Sequence, residues 1–382
     1  MPGTILSEPG VGTVCARCSS ADADLDVRTE RLCRVCFIKY VSTKILKRLE
    51  AKGVRGAYDD ASKKLLLPLS LGVSSLALLH VLDRHLQVQR QKSGRVSYSI
   101  HVLFIDQSAF SFQRESESAL ERVRLRFPMH SFSVVTLDEV LDYESPPLEG
   151  ILMANQALDK NCTLSRPDKL KALLSALPSP TSRLDIVNIL RGRLIAVFAE
   201  IHGCSFIAFG DSTTRLAERT LAETAKGRGG SLPWLTSDSM TSEGLKINYP
   251  MRDLLKRELI LYVTITEPSL EPLLVDDDVL DNVPVSSKDT TIDGLMSQYF
   301  ASVEQNYPSI VANVVRTSGK LVAPTLRSDS IPCGMCRLPV ELASKAWAGD
   351  QGSLPTSSLE QSKEASGNGP LCYGCTRSVD TA

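Results

Sequence analysis

The chain has 382 residues, 43% of them hydrophobic, and a formal net charge of -1. That apolar content suffices for one large core with appendages, and the near-neutral charge excludes a globally basic nucleic-acid-binding protein. No stretch approaches the roughly 20 apolar residues of a membrane span, and the start lacks the basic-then-apolar layout of a signal peptide, so we expect a cytoplasmic protein that contacts no membrane.

Eight of the ten cysteines form four Cys-x-x-Cys pairs, which in a reducing compartment are more typical of metal ligands than of disulfides. The pairs are Cys15 and Cys18, Cys33 and Cys36, Cys333 and Cys336, and Cys372 and Cys375. The first two pairs lie 14 residues apart, a spacing suited to one tetrahedral zinc site; a redox dithiol or an iron–sulfur cluster is the alternative. The last two lie 35 residues apart and predict a second zinc site, because lengthening a loop costs closure entropy only logarithmically.

The most positive part of the chain follows the first cysteines. After a leader that we expect to be flexible (1–14), residues 15–57 form the predicted N-terminal zinc module with a basic amphipathic helix. Between Arg28 and Arg55 there are nine Lys or Arg residues against two Glu. One interpretation is RNA-backbone contact, and the alternative is an ordinary solvated helix face. The candidate RNA-binding residues are Lys39, Lys44, Lys47 and Arg48.

The central region, 58–310, alternates strand-like and helix-like segments, which predicts a doubly wound, mostly parallel α/β sheet flanked by the two zinc modules. Predicted strands cover 65–69, 98–105, 131–136 and 205–209. Predicted helices cover 76–91, 115–127, 183–202, 213–226, 254–262 and 292–305. An acidic segment with three prolines, 267–293, is predicted to be extended or mobile. The C-terminal module, 311–382, carries a polar insertion at 343–369.

The first predicted strand runs into a Ser/Gly turn and then a helix, a junction that directs backbone N–H groups and the positive end of the helix dipole at one spot. In parallel sheets such ligand sites lie at the carboxyl ends of the strands. The candidate nucleotide-loop residues are Ser70, Gly72, Ser74, Ser75, Asp106, Asp211, Ser212 and Arg252. The alternatives are an ordinary strand-to-helix turn and two aspartates that only end strands or cap helices. For Arg252, contact with phosphate and pairing with an acidic neighbour both stay open.

The loop Ser70-Leu71-Gly72-Val73-Ser74-Ser75 resembles the SGGxDS pyrophosphate loop of the ATP-pyrophosphatase family, which adenylates tRNA bases and amide precursors. Leu71 replaces a glycine, whose freedom allows positive φ and a close approach to phosphate. Ser74 replaces an aspartate that helps to arrange Mg²⁺. These departures predict a loop that keeps its shape without its chemistry, and they argue against ATP binding.

The order of these features resembles the cytoplasmic tRNA 2-thiolation protein 2 family, over most of the chain from Cys15 to Cys375. The motifs that carry the resemblance are CARC…CRVC, SLGVSS, GDSTTRLAERTL with the following GRG at 227–229, PMRD and CGMC. The family's members pair with a catalytic thiolase subunit. That partner adenylates the wobble uridine of the Lys, Glu and Gln tRNAs, and sulfur from a thiocarboxylated ubiquitin-related modifier then gives 2-thiouridine (mcm5s2U); a role in protein urmylation is also implied.

The resemblance also implies what a catalytic relative carries, namely a Cys-x-x-Cys pair and a third cysteine in the core. Here the core offers only Cys162 and Cys204. We therefore expect a non-catalytic, tRNA-binding subunit of a heterodimeric thiolase, with no catalytic residue of its own. The alternatives are an autonomous ATP-dependent tRNA sulfurtransferase that uses one of these cysteines, and a zinc-module adaptor that binds proteins and no RNA.

Overall fold

The computed structural model describes residues 14–51, 63–107, 116–143, 164–241, 244–275, 290–323, 332–340 and 370–379. At the N-terminal end of this part, strands β1 (Leu25–Val27) and β2 (Glu30–Leu32) form an antiparallel hairpin that leads into helix α1 (Arg34–Ala51). One stripe of α1 is buried, because its apolar residues recur at helical spacing. The predicted amphipathic helix after the first cysteines is thus present.

A six-stranded sheet forms the centre of the molecule. Its strands are β3 (Lys63–Leu69), β4 (Tyr98–Asp106), β5 (Ser131–Thr136), β6 (Phe206–Ala208), β7 (Ser239–Met240) and β8 (Lys246–Asn248). They lie in the order β5-β4-β3-β6-β8-β7, and all neighbours are parallel except β7 and β8. The predicted doubly wound, mostly parallel α/β fold is confirmed.

Helices cover both faces of the sheet. In chain order they are α2 (Val73–Ser93), α3 (Ser116–Arg126), α4 (Val140–Tyr143), α5 (Arg166–Ser175), α6 (Pro180–Ile201), α7 (Thr213–Ala225), α8 (Leu232–Leu235), α9 (Lys256–Ile265), α10 (Ile292–Asn306), α11 (Pro308–Ser318) and α12 (Tyr373–Val379). Helices α1, α2, α3 and α9 share one core with Leu65 and Leu67 of β3, whereas α4, α5, α6 and α12 share the other with Leu66. Both faces of β3 are therefore apolar, as its continuous hydrophobic run predicts.

The topology fixes where a ligand crevice belongs. The chain moves from β3 outward to β4 and β5, and then returns to place β6 on the opposite side of β3. Leu65 pairs with Phe206 and Leu66 with Ile207 across this junction. The strand order reverses here, so the crevice between the carboxyl ends of β3 and β6 is the position at which doubly wound sheets bind ligands.

Two parts of the fold differ from the sequence prediction. Helix α11 packs through Val311 and Val315 against α7 and α10, so the α/β body extends beyond the predicted boundary at residue 310. At the start of the segment predicted to be extended or mobile, Leu270 and Leu273 are buried in the main core. Residues 276–289 of that segment lie outside the described part of the chain. Among the described helices, none combines the length and apolarity needed to cross a bilayer.

Candidate functional site

The loop between β3 and α2 is tied together by its own hydroxyl groups. Ser75 Oγ donates to the carbonyl oxygen of Gly72 at 3.1 Å and accepts from the Ser70 amide at 3.3 Å. The Ser70 and Ser75 hydroxyls are 3.1 Å apart. Polar groups that a phosphate-binding loop would direct at its ligand are here partly engaged within the loop.

Leu71 keeps the glycine-like conformation of its position although its side chain hinders it. Its φ is 63°, in the left-handed region that favours glycine. The side chain is 1% exposed and belongs to the main core, and the Leu71 carbonyl accepts a hydrogen bond from the Val275 amide at 3.2 Å. Burial thus compensates for the strained backbone, and the loop retains its shape with a different residue.

The facing loop closes on the first turn of α2. A Cβ added to Gly210 would lie 2.8 Å from Ser75 Cα and 3.0 Å from its amide nitrogen, closer than real Cβ atoms approach. The position therefore requires glycine because two backbones meet there. At the switch point the two loops contact each other directly.

Two of the remaining predicted loop residues have partners that the structure shows. Ser212 is the N-cap of α7 and accepts from the Arg215 amide at 3.2 Å, while Asp211 lies 3.8 Å from Arg219. Ser74 is half-buried in the first turn of α2, and Asp106 is half-buried at the end of β4, on the other side of β3 from β6. The helix cap predicted as an alternative for the aspartates is supplied here by Ser212, and the nucleotide role of these residues stays a prediction.

Arg252 contacts a helix end in the structure, and its contact with phosphate stays a prediction. Its Nη2 donates to the Val315 carbonyl oxygen at 3.3 Å, in the last turn of α11. Burial and the neighbouring Arg48 lower the pKa of Arg252, and the residue is 8% exposed. A cation near the last turn of a helix stabilises the negative end of its dipole, so Arg252 joins α11 to the sheet.

The four candidate RNA-binding residues on α1 divide into two groups. Lys39 and Lys47 are exposed. Lys44 donates to the Asp253 carbonyl at 3.2 Å, and Arg48 pairs with Asp238 at 3.0 Å and with Asp253 at 3.4 Å. The second group is therefore engaged in docking α1 onto the α/β body, and the first faces solvent.

The eight paired cysteines gather into two groups of four, the first two pairs in one and the last two in the other. Within each group all four sulfur atoms lie within 4.8 Å of one another. The sulfurs of Cys18 and Cys33 are 3.9 Å apart, and those of Cys336 and Cys372 are 3.8 Å apart. Four sulfurs about 2.3 Å from one tetrahedral ion stand about 3.8 Å apart, whereas a cubane cluster separates its thiolates further because each binds a different iron. Both groups could hold one metal ion such as zinc.

The two groups are built alike. The first pair of each sits in a tight turn followed by a residue of positive φ, Ser19 at 53° and Arg337 at 60°. The second pair opens a helix, α1 after Cys33 and α12 after Cys372. Backbone N–H groups point at the sulfurs in both: hydrogen bonds from Cys18 and Cys33 lower the pKa of Cys15 to about 6, and the Cys372 amide donates to Cys333 Sγ at 3.3 Å. Backbone donors of this kind stabilise a thiolate, the form that binds metal, at Cys15 and at Cys333.

Arginine contacts that sequence reasoning missed attach each module to the body, an ion pair at one module and hydrogen bonds to backbone carbonyls at the other. At the N-terminal module, Arg28 donates to both carboxylate oxygens of Glu258, at 2.8 and 3.0 Å, and Glu258 is completely buried. At the C-terminal module, Arg193 donates to the carbonyls of Gly334 and Met335 at 3.0 and 2.9 Å. Hydrophobic periodicity in the sequence cannot predict these contacts, because each joins residues more than a hundred positions apart.

Of the two cysteines outside the pairs, the structure describes one, and it lies away from the crevice. Cys204 precedes β6, at the amino edge of the sheet and therefore opposite the Ser70 loop. It is 8% exposed, and burial raises the pKa of its thiol. Cys162 lies outside the described residues.

Comparisons with known proteins agree with this architecture. A family model for cytoplasmic tRNA 2-thiolation protein 2 matches residues 291–377. The protein of that name from Phaeosphaeria nodorum is 42% identical over 386 residues, covering 99% of this chain and 97% of its own; that from Pyrenophora tritici-repentis is 39% identical over 388 residues, covering 100% and 98%. The U34-tRNA thiolase NcsA from Methanococcus maripaludis, solved with its [4Fe-4S] cluster, shares the fold with a TM-score of 0.58 at 15% identity, covering 91% of this chain and 99% of its own.

The expectation of a cytoplasmic protein agrees with the family's name. The relatives extend over nearly the whole chain, and the degenerate loop, the GDS strand end and both cysteine groups lie within the matched length. The chain belongs to the cytoplasmic tRNA 2-thiolation protein 2 family.

Proposed function

We propose that this chain is the non-catalytic, tRNA-binding subunit of a heterodimeric tRNA thiolase, required for 2-thiolation of the wobble uridine (mcm5s2U) in Lys, Glu and Gln tRNAs. The catalytic partner adenylates the uridine, and the sulfur comes from a thiocarboxylated ubiquitin-related modifier; the same assembly serves protein urmylation. Both metal sites hold structural zinc, and the chain has no need of ATP.

The observation that carries the proposal is the state of the switch-point crevice. Leu71 fills the core from the loop's glycine position, Ser74 supplies no carboxylate, and the backbone at Gly210 abuts the first turn of α2. A phosphate cradle needs open backbone N–H groups, and Mg²⁺ needs anionic oxygen ligands. The substitutions at Leu71 and Ser74 therefore argue against phosphate and Mg²⁺ binding by this loop.

The described cysteines supply no sulfur carrier at this crevice either. Eight of the nine are engaged in the two four-cysteine groups, and Cys204 is buried at the opposite edge of the sheet. A sulfur carrier needs an accessible thiolate beside the substrate. The chemistry is therefore assigned to the partner subunit.

The work left to this chain is capture of tRNA and of the partner. Lys39 and Lys47 are exposed on α1 and eight positions apart, so they lie about 12 Å apart along the helix axis and about 80° apart around it. That spacing suits contact with successive phosphates of an RNA backbone.

The activity test uses the purified full chain with and without the catalytic subunit. We expect the chain alone to release no AMP from ATP and to form no 2-thiouridine, and the pair to do both, measured by nucleotide chromatography and by mass spectrometry of digested tRNA. Metal analysis should give about two zinc ions per chain. Thiolation by the isolated chain would establish the autonomous enzyme instead.

The RNA test reverses the two exposed lysines together, Lys39→Glu and Lys47→Glu. We expect tRNA affinity to fall by roughly 10-fold or more, and the slope of log affinity against log salt to shrink by about 2, because two phosphate contacts are lost. The matched control reverses Arg90 and Lys92, which are exposed in the last turn of α2, and should leave affinity nearly unchanged. Equal affinity for all three proteins would favour the adaptor that binds no RNA.

A further inference from the structure

A cluster of charged side chains is buried beside the C-terminal cysteines, between α6, α7 and the loop after α7. It contains two cations and three carboxylates: Lys226, Arg228, Asp185, Glu223 and Asp293. Arg228 is 4% exposed, and its guanidinium donates to both oxygens of Asp185, at 2.8 and 2.5 Å, and to Glu223 at 3.1 Å. Burying such charges is costly unless each has partners, so this network is held in a defined geometry.

The same guanidinium also contacts one sulfur of the C-terminal cysteine group, that of Cys375. Arg228 Nη2 lies 3.7 Å from Cys375 Sγ and 3.5 Å from the Ser378 hydroxyl, which itself donates to Asp185 at 2.6 Å. Asp185 therefore holds the guanidinium from one side, and Nη2 of the same group donates to Cys375 Sγ. Donors of this kind orient ligands and tune the metals they bind.

The backbone on both sides is shaped to permit this approach. A Cβ at Gly374, between the two cysteines of the last pair, would meet Arg228 Cγ at 2.5 Å. A Cβ at Gly227, whose φ is +86°, would meet the Tyr373 ring at 2.7 Å. Two glycines thus let the arginine-bearing loop and the last cysteine pair interlock.

This contact places a positive charge beside the C-terminal cysteine group. Four thiolates around one divalent ion leave a net charge of about -2. Cys333 and Cys375 are both completely buried, so this charge is poorly solvated, and a fixed neighbouring cation offsets it. The N-terminal group is more open, because Cys18 is exposed. The two metal sites therefore differ in how far they depend on a protein cation.

We propose that Arg228 is a positioning residue for the C-terminal metal site: it orients Cys375, balances the charge of the tetrathiolate centre and slows loss of the metal. Asp185 holds Arg228 in place, so the site is coupled to α6 and α7. This role goes beyond tRNA capture and stands or falls independently of it.

The test follows release of zinc from the full chain to a chromogenic chelator. Peptide mass spectrometry after iodoacetamide trapping assigns each released equivalent to Cys18 or Cys375. Arg228→Met should speed release from the C-terminal site by about 10–100-fold and leave the N-terminal rate unchanged. Arg228→Lys keeps the cation and should fall between. In the cobalt-substituted protein, loss of the N–H donor should move the sulfur-to-cobalt charge-transfer band to lower energy.

Arg28→Met, which breaks an ion pair at the other module, is the matched control and should not change the C-terminal rate. A rate for Arg228→Met within twofold of the wild type, or equal acceleration at both sites, would overturn the proposal. If Arg228→Met does not fold, Ser378→Ala takes its place: it removes one restraint on the arginine and should accelerate the C-terminal site alone, and an unchanged rate would count against the proposal.

Discussion

Leu71 provides the sharpest test of the view that the loop has kept its conformation. Replacing it with alanine removes a side chain that is 1% exposed, which in a packed core costs about 2–5 kcal/mol. Replacing it with glycine removes slightly more volume. Glycine, however, relieves the strain of a φ of 63°, which for other residues is roughly 1–2 kcal/mol.

The balance of these effects fixes the order of the two variants. Glycine also gives the unfolded chain more conformational freedom, which reduces the stability gained from the relieved strain by roughly 0.4–1 kcal/mol. We therefore expect Leu71→Gly to be more stable than Leu71→Ala by about 0.5–1 kcal/mol, the reverse of the usual order, with both well below the wild type.

The assay is urea unfolding of the purified full chain, followed by circular dichroism with all three proteins in parallel. The reasoning is refuted if the alanine variant is the more stable of the two, since Leu71 would then not be held in the left-handed region. Leu71→Gly should also fail to release AMP from ATP. The missing carboxylate at Ser74 and the close approach of Gly210 remain in that variant.

Three further predictions address packing, module docking and pH. Gly210→Ala should destabilise the chain by about 1–3 kcal/mol, because the added Cβ would collide with the backbone of Ser75. Gly192→Ala is the control: a Cβ there meets nothing within 4 Å in a helix, so the variant should be slightly more stable than the wild type. Similar melting temperatures for the two variants would contradict the close contact at Gly210. Arg28→Met should cost about 2–3 kcal/mol in thermal unfolding, because the buried carboxylate of Glu258 loses its cation and keeps only the hydrogen bonds from Tyr40 and the Leu255 amide. Loss of the exposed Arg17–Glu30 pair in Arg17→Met should cost at most about 1 kcal/mol. Equal shifts would show that Arg28 does not anchor its module. Burial lowers the pKa of His80 to about 4 in the folded chain, whereas an unfolded histidine has a pKa of about 6.5. As the pH falls below about 6.5, the unfolded chain therefore binds this proton first. About 3 kcal/mol of folding stability, fully present above that pH, is lost by pH 4. The urea midpoints at pH 7.5 and pH 5 should therefore differ less in His80→Gln than in the wild type. An equal difference would show that His80 does not cause the loss of stability.

Elements with long, uninterrupted apolar patterns could be predicted from the sequence. Strands β3, β4 and β5 and helices α2, α6 and α7 lie within three residues of their predicted bounds. The short strands β7 and β8 could not, because two or three residues carry no period and their pairing depends on neighbours. Helices α5 and α11, with 10 and 11 residues, were also missed. Leu270 and Leu273 show the same limit: acidic surroundings predicted an extended or mobile segment, but the core beneath them decides their burial.

What the sequence determined by itself about this protein is its local chemistry: four cysteine pairs, a loop without its glycine and aspartate, and an alternating pattern that requires a parallel sheet. Only the tertiary structure decided that Arg252 contacts the end of a helix and that Arg28 and Arg228 hold the modules. The physical reason is that ligand spacing and periodicity act over a few residues. A buried charge, in contrast, is settled by partners that folding brings from far along the chain.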